Sequence, residues 1–297
     1  MNNLLYSSLE KNKKLIENAI EDYYSRFSDN DTEEVRVAEM YSLMAGGKRI
    51  RPFLVNEFCR IFGGEEKASL DFALAVEMMH TFSLIHDDLP CMDDDDLRRG
   101  RATSHKVFGE ATALLAGDSL AIRSIEVALS NKYVAPAVAA KAATLLARAA
   151  GSEGMIGGQI IDMRGEIEQL DFDLLIKLHS KKTGALIKAS VALGCYAAGL
   201  SDTDLEFVVA QLYAERIGLA FQIVDDILDT TSSDEVLGKS IGSDADNNKT
   251  TFLTYMTIEE AREYAIRLTE EAKAAISEYN GSETLCELAD YLIVRSF

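Results

Sequence analysis

Residues 72–85 read FALAVEMMHTFSLI and run directly into acids: His86-Asp87-Asp88, then, past Pro90, Asp93-Asp94-Asp95-Asp96 and Arg98-Arg99. Wound as a helix, residues 72–85 carry apolar side chains on every side, the mark of a central helix rather than a surface one. Residues 205–229 repeat the pattern, with Val208, Val209, Leu212, Ile217, Leu219, Phe221, Ile223, Val224, Ile227 and Leu228 around the helix and Asp225-Asp226-x-x-Asp229 at its end. Carboxylates rarely enter an apolar interior unless something pairs with them. A run of negative charge at a helix C-terminus also opposes the macrodipole. Two such clusters, each ending a buried helix, place acids at the mouth of a helical bundle and imply shared divalent cations.

The rest of the chain fits an all-α fold. It has 297 residues, 47% of them hydrophobic, and only three prolines, Pro52, Pro90 and Pro136. Alanine- and leucine-rich stretches dominate and strand-like alternation is hard to find. Helices are expected at 3–27, 32–45, 52–62, 67–88, 109–128, 135–150, 153–165, 171–198, 202–229, 250–254, 258–278 and 282–294, in one domain spanning 1–297. The net charge of −19 argues against nucleic-acid binding, which needs basic surface to displace counterions. It leaves room for a small anionic ligand, because bound metal inverts the local sign. Cys59, Cys91, Cys195 and Cys286 show no metal-site or disulfide spacing and read as the reduced thiols of a cytoplasmic protein. No signal-peptide block is evident, and no apolar run is expected to span a membrane.

The spacing of the acids suggests what they hold. Asp225 and Asp229 lie four apart, about 40° around a helix and about 6 Å along it, close enough to share one cation. Oxygen-only ligands favour Mg²⁺, which keeps waters and bridges to phosphate oxygens. Asp87 and Asp93 are six apart, off-face in a regular helix. Pro90 between them should break the helix and let Asp93 return towards Asp87. Basic residues follow or precede the acids: Lys48, Arg49 and Arg51 in GGKRIRP (46–52), Arg98 and Arg99, Lys181 and Lys182, and Lys239 and Lys249. On a surface these are ordinary solvated cations, but Lys and Arg are also the residues that grip phosphate. Carboxylate-held Mg²⁺ with Lys and Arg above an apolar bundle describes a site for a phosphorylated apolar molecule.

The motifs GGKRIRP (46–52), MMHTFSLIHDDLPCMDDDDLRRGRATSH (78–105), GGQIIDM (157–163), KTGALI (182–187), FQIVDDILD (221–229) and LGKSIGSD (237–244) resemble those of the trans-isoprenyl diphosphate synthases, most closely the bacterial farnesyl diphosphate synthases. The resemblance covers nearly the whole chain. It implies an isoprenoid-synthase-type helical bundle around a deep apolar pocket, a homodimer, and Mg²⁺ in about three copies per active site. It further implies metal ligation by Asp87, Asp88 and Asp93 on one side and Asp225, Asp226 and Asp229 on the other. Arg98, Lys182, Lys239 and Lys249 would contact an allylic diphosphate. Lys48, Arg51, His80 and Arg99 would bind isopentenyl diphosphate, and Thr183 and Gln222 would line the reacting centre. At Lys249 the chain reads Asn248-Lys249-Thr250-Thr251, without the Gly and Pro the family commonly places there.

Product length falls to Phe82 and Ser83, five and four residues before Asp87. In the family an aromatic at the first of these positions resembles synthases that stop at fifteen carbons. Smaller residues resemble geranylgeranyl synthases, which the rest of the motif block also resembles. A terpene cyclase, a non-catalytic partner subunit, and an HD-type phosphohydrolase built on His86-Asp87 are the readings from other classes. The retained second aspartate cluster and Lys48/Arg51 speak against the first, and both intact clusters speak against the second. An acid-only site in a chain with four histidines speaks against the third. Residues 230–250, rich in Ser, Asp, Gly and Asn, are expected to form a mobile loop, and Arg295 to help close the site.

Overall fold

The helix that holds residues 72–85 has a composition that its neighbours explain. In the computed structural model, which describes residues 3–28, 31–231 and 249–294, it is α4 (Glu66–Asp87), following α1 (Asn3–Tyr24), α2 (Glu33–Leu43) and α3 (Ile50–Ile61). Phe72, Ala73, Val76, Met78, Met79 and Ile85 are all buried, on both sides of the helix. α4 packs along its length on α6 (Glu110–Leu129) and also on α3 and on α10 (Ala185–Ala197). Full burial of one such Phe or Met side chain contributes roughly 1.5–3 kcal/mol. The remaining helices are α5 (Ser104–Phe108), α7 (Pro136–Ala150), α8 (Met155–Gly165), α9 (Phe172–His179), α11 (Leu205–Thr231), α12 (Ile258–Ile276) and α13 (Glu283–Val294). The fold is all-α, as expected.

One charged residue breaks the apolar surface of α4. Glu77 is 2% exposed and accepts from Arg49, which also donates to the Leu43 carbonyl. Arg49 has φ +52, a left-handed backbone, and its own carbonyl accepts from Asn12. This buried pair therefore ties α1, α2 and the 46–52 loop to α4. Removing one partner of such a pair typically costs about 3–5 kcal/mol, because the other charge stays buried.

Several expectations need correction. Residues 171–198 are not one regular helix: a π-helical turn, Ser180–Gly184, separates α9 from α10. α5 and a two-stranded hairpin, β1 (Leu97–Arg98) with β2 (Arg101–Ala102), were not foreseen. The hairpin turns on Arg99 and Gly100, both with positive φ, the pair of left-handed residues a two-residue hairpin needs. Residues 250–254 form only a 3₁₀ turn, Phe252–Thr254. α4 and α11 are, by length and composition, apolar enough to cross a membrane. For α4 the bundle explains this, since 72% of its most apolar window is buried inside the fold. For α11 the share is 44%: Ile217, Ile223, Val224 and Ile227 are buried, while Leu205, Val208 and Leu212 near its start are exposed. Composition records apolar faces, and only packing decides which of them are covered.

At the end of α9, the His179 ring stacks on Phe252, with centroids 5.0 Å apart and planes at 19°. Burial pushes its pKa down to about 4 against an ordinary 6.5, and the hydrogen bond with Gln222 recovers only part of that shift. Between those two values the unfolded chain binds a proton here that the native chain refuses. Stability must therefore fall as pH drops through this window, by up to about 3 kcal/mol at its acid end. Urea unfolding of His179→Phe, which keeps the stacking but cannot titrate, should show a shallower loss between about pH 6.5 and pH 4 than the wild type. An equal loss in both proteins would mean that His179 contributes nothing to it.

Candidate active site

α4, α8, α11 and the π-helical turn enclose a cavity of about 700 Å³, within the usual range for a small-molecule site. The end of α4 shapes its mouth. Pro90 cannot continue the helix, and the chain folds back so that the Asp93 N–H donates to the Asp87 carbonyl at 2.9 Å and the Asp94 N–H to the Leu89 carbonyl at 3.2 Å. The six-residue gap thus brings Asp93 beside Asp87, as the proline suggested. Both line the cavity, together with Asp225 from α11. Burial raises the pKa of Asp87, Lys182 pulls it back, and the nearby Asp93 raises it again.

The second residue of each acidic pair does something different. Asp88 is 4% exposed and accepts from Arg98 Nε at 2.5 Å, while Arg98 Nη2 donates to Asp95 at 2.9 Å. Asp226, also buried, accepts from the Phe252 N–H at 2.7 Å. Neither lines the cavity, and neither does Asp229. Consecutive residues on a helix point about 100° apart, and here Asp88 and Asp226 turn to protein partners while Asp87 and Asp225 line the cavity. Of the six aspartates expected to ligate metal, Asp87, Asp93 and Asp225 line the cavity, while Asp88 accepts from Arg98 and Asp226 from the Phe252 N–H. Asp87, Asp93 and Asp225 are hard oxygen donors suited to Mg²⁺. Among the described residues, no three Asp, Glu, His or Cys side chains already stand together as a complete ligand set. That suits a metal that takes one or two carboxylates and completes its shell with waters and phosphate oxygens.

The cations form two groups. Arg98 and Lys182 line the cavity beside the acids. Lys182 donates to Asp162, and Lys249 lies 3.8 Å from the same carboxylate and 3.3 Å from Glu166. Burial pushes the Asp162 carboxyl up, but Lys182 and Lys249 together hold it below the ordinary range. The structure thus brings Lys249 to Lys182 despite the altered residues around it; Lys239, the rest of the 232–248 stretch and Arg295 lie outside the described residues. The second group is Arg51, His80 and Arg99. Arg51 and His80 line the cavity, and Arg51 Nη1 donates to His80 Nε2 at 3.2 Å. Arg99 stands behind them and donates to the Gly46 carbonyl. Gly47, at φ +107, has a backbone conformation that L side chains rarely adopt, and the Arg99 guanidinium lies against it. Burial drives the pKa of Arg51 down to about 10, and it lowers Arg99 as well. His80 is held neutral, first by burial and then by the surrounding arginines. The buried Nε of Arg51 has no hydrogen-bond partner. Lys48 is exposed, with Nζ 4.7 Å over the Tyr291 ring of α13, at the edge of this group. Crowded, desolvated cations with an unmet donor make this a site suited to an anion.

Between the two groups, Thr183 Oγ1 donates to Gln222 Oε1 at 2.5 Å, and Gln222 Nε2 lies 3.5 Å from Asp225. The π-helical turn sets Lys182 and Thr183 on the cavity wall together, a recurrent use of such turns at functional sites. Phe82 and Ser83 also line the cavity. His86 does too, and its Nε2 is committed to the Leu114 carbonyl at 3.0 Å. Sequence reading passed over one wall. Met155, Ile156, Gln159, Ile160 and Met163 of α8 face the cavity, and their spacing of three and four is the helical signal that would have found them. It also passed over Asp162, which lies inside the quoted GGQIIDM motif.

The polyprenyl synthetase family matches residues 33–285. Farnesyl diphosphate synthase of Bacillus subtilis is 42% identical over 99% of this chain and 99% of its own. The large subunit 1 of the heterodimeric geranylgeranyl pyrophosphate synthase of Arabidopsis thaliana, a chloroplastic protein, is 44% identical over 88% of this chain and 72% of its own. Among solved structures, a geranyltransferase from Helicobacter pylori complexed with magnesium and isoprenyl diphosphate superposes with a TM-score of 0.83, at 30% identity, over 99% of this chain and 98% of that one. With its fold, its paired acids and its cation groups in place, the chain belongs to the polyprenyl synthetase family of prenyltransferases.

Proposed function

We propose that the protein condenses isopentenyl diphosphate with dimethylallyl and geranyl diphosphate to give farnesyl diphosphate, with Mg²⁺ as cofactor. The observation that carries the product length is Phe82: it is buried, lines the cavity, and stands five residues before Asp87 on the same helix. The Bacillus subtilis relative carries the corresponding name. The second reading, a geranylgeranyl diphosphate synthase, is favoured by the Arabidopsis thaliana relative.

Asp87, Asp93 and Asp225 are the residues to hold Mg²⁺, which when bound neutralises charge on a diphosphate. Arg98, Lys182 and Lys249 grip the allylic diphosphate as it takes on charge in leaving, and their fixed positions favour that charge more than water would. Arg51, Arg99, Lys48 and neutral His80 receive the diphosphate of isopentenyl diphosphate. Thr183 and Gln222 offer oxygens where positive carbon develops. Phe82, Ile156, Ile160 and Phe221 keep water from that carbon, which water would quench. The released diphosphate, held among these cations, is the base closest to the proton that is finally lost.

A second copy of the chain is the partner proposed for α6. Leu115, Ile122 and Leu129 recur every seven residues along it and are 55%, 71% and 52% exposed, a stripe suited to a helix–helix interface. Ile122→Glu should convert a dimer to a monomer in sedimentation; a wild-type monomer would contradict the proposal.

Incubation with Mg²⁺, labelled isopentenyl diphosphate and each of dimethylallyl, geranyl and farnesyl diphosphate tests the activity. Elongation of the first two primers, with farnesyl diphosphate as the end product, is expected. Ready elongation of farnesyl diphosphate would favour the second reading, and no elongation of any primer would overturn the enzymatic one. Phe82→Ala should lengthen the products seen by chromatography; unchanged lengths would remove Phe82 as the stop.

A further inference from the structure

We propose that His86 is a positioning residue for product length: wedged between Phe82 and Gly117, its imidazole holds the Phe82 ring across the cavity. The inference rests on the reading of Phe82 as the stop. His86 lies one helical turn after Phe82 on α4, so the two side chains are neighbours on one face. Their rings meet edge to face, with centroids 5.0 Å apart and planes at 81°, the geometry aromatic pairs prefer.

What makes His86 a brace is that it has no freedom of its own. Its Nε2 lies 3.0 Å from the Leu114 carbonyl of α6. A carbonyl only accepts, so Nε2 carries the proton and donates. Asp118 Oδ1 is 3.8 Å from the same nitrogen, too far to compete as a hydrogen bond. Gly117 completes the slot: a Cβ there would fall 2.2 Å from Nε2 and 2.3 Å from Cδ2 of His86. Only glycine admits the ring, and with the ring seated both its torsions are set. Phe82, by contrast, has no polar atom to anchor it, and its rotamer depends on what stands beside it. A rigid neighbour turns an adaptable wall into a fixed floor, and a floor that yields lets a longer chain through. His86 thereby acts on the product without touching the reacting atoms.

The experiment compares the products of the wild type, His86→Ala, Gly117→Ala, the double variant and Phe82→Ala, all as full-length protein with Mg²⁺, dimethylallyl diphosphate and labelled isopentenyl diphosphate. His86→Ala should raise the ratio of C20 and longer products to C15 by roughly ten-fold or more, the scale on which a change in pocket shape discriminates. Gly117→Ala, which evicts the ring from its slot and lies on another helix than the acids, should lengthen products too. With no ring left to evict, the added methyl is harmless, so the double variant should match His86→Ala alone. A structural role for His86 would lower total turnover without moving this ratio. Unchanged lengths in His86→Ala and Gly117→Ala beside longer products from Phe82→Ala would overturn the brace and leave the stop standing. Unchanged lengths in Phe82→Ala would overturn the stop, and the brace with it. Should His86→Ala lose activity through its neighbour Asp87, the ratio in Gly117→Ala decides between the same two results.

Discussion

Holding carboxylates together at the mouth of an apolar cavity is the constraint on which the rest of this structure depends. Asp87 is desolvated first and then crowded by Asp93, and Asp225 joins the same wall from α11. Left alone, such a group would take up protons rather than stay charged. The fold answers with cations on short leashes. Asp162 gathers Lys182 and Lys249, and Asp88 with Asp95 aims Arg98. Each lysine or arginine near the mouth is thus oriented by an acid that is not itself on the cavity wall.

The opposite side of the cavity has the inverse problem. Burial lowers Arg51, Arg99 and His80, and neighbouring arginines lower each of them further. Glu77 relieves this from beneath while committed to Arg49. One side gathers carboxylates with their lysines and Arg98, the other gathers buried cations, and the Thr183–Gln222 pair lines the same cavity. A metal–diphosphate unit on the first side and a bare diphosphate on the second would satisfy both, and would bring two diphosphate esters to the same apolar space.

Much of this was legible in the chain. Pro90 in a six-residue gap foretold a break in the helix, and the chain beyond it returns Asp93 to Asp87. Apolar residues on every side of α4 foretold its central position. The parts that were not legible have physical reasons. The π-helical turn keeps a helical pattern of residues, so Ser180–Gly184 looks no different from its flanks. Strands of two residues are shorter than any alternation, although Arg99-Gly100 carried a turn signal. The exposed start of α11 follows from what fails to pack on Leu205 and Val208, which composition cannot record. The division of labour within Asp87-Asp88 and Asp225-Asp226 follows from the partners that Asp88 and Asp226 meet, Arg98 and the Phe252 N–H, which the order of residues does not record.

The central claim is that Asp87, Asp93 and Asp225 are two halves of one Mg²⁺–diphosphate clamp. Thermal unfolding with Mg²⁺, with a methylene-bridged diphosphate analogue, and with both, in the wild type, Asp87→Asn and Asp225→Asn, tests it most directly. A ligand at a hundred times its Kd adds roughly 2.7 kcal/mol to stability, enough for a clear rise in Tm. The account predicts that rise in the wild type only when metal and analogue are present together, and its loss in either variant. An equal rise without Mg²⁺, or a full rise in one of the variants, would contradict it.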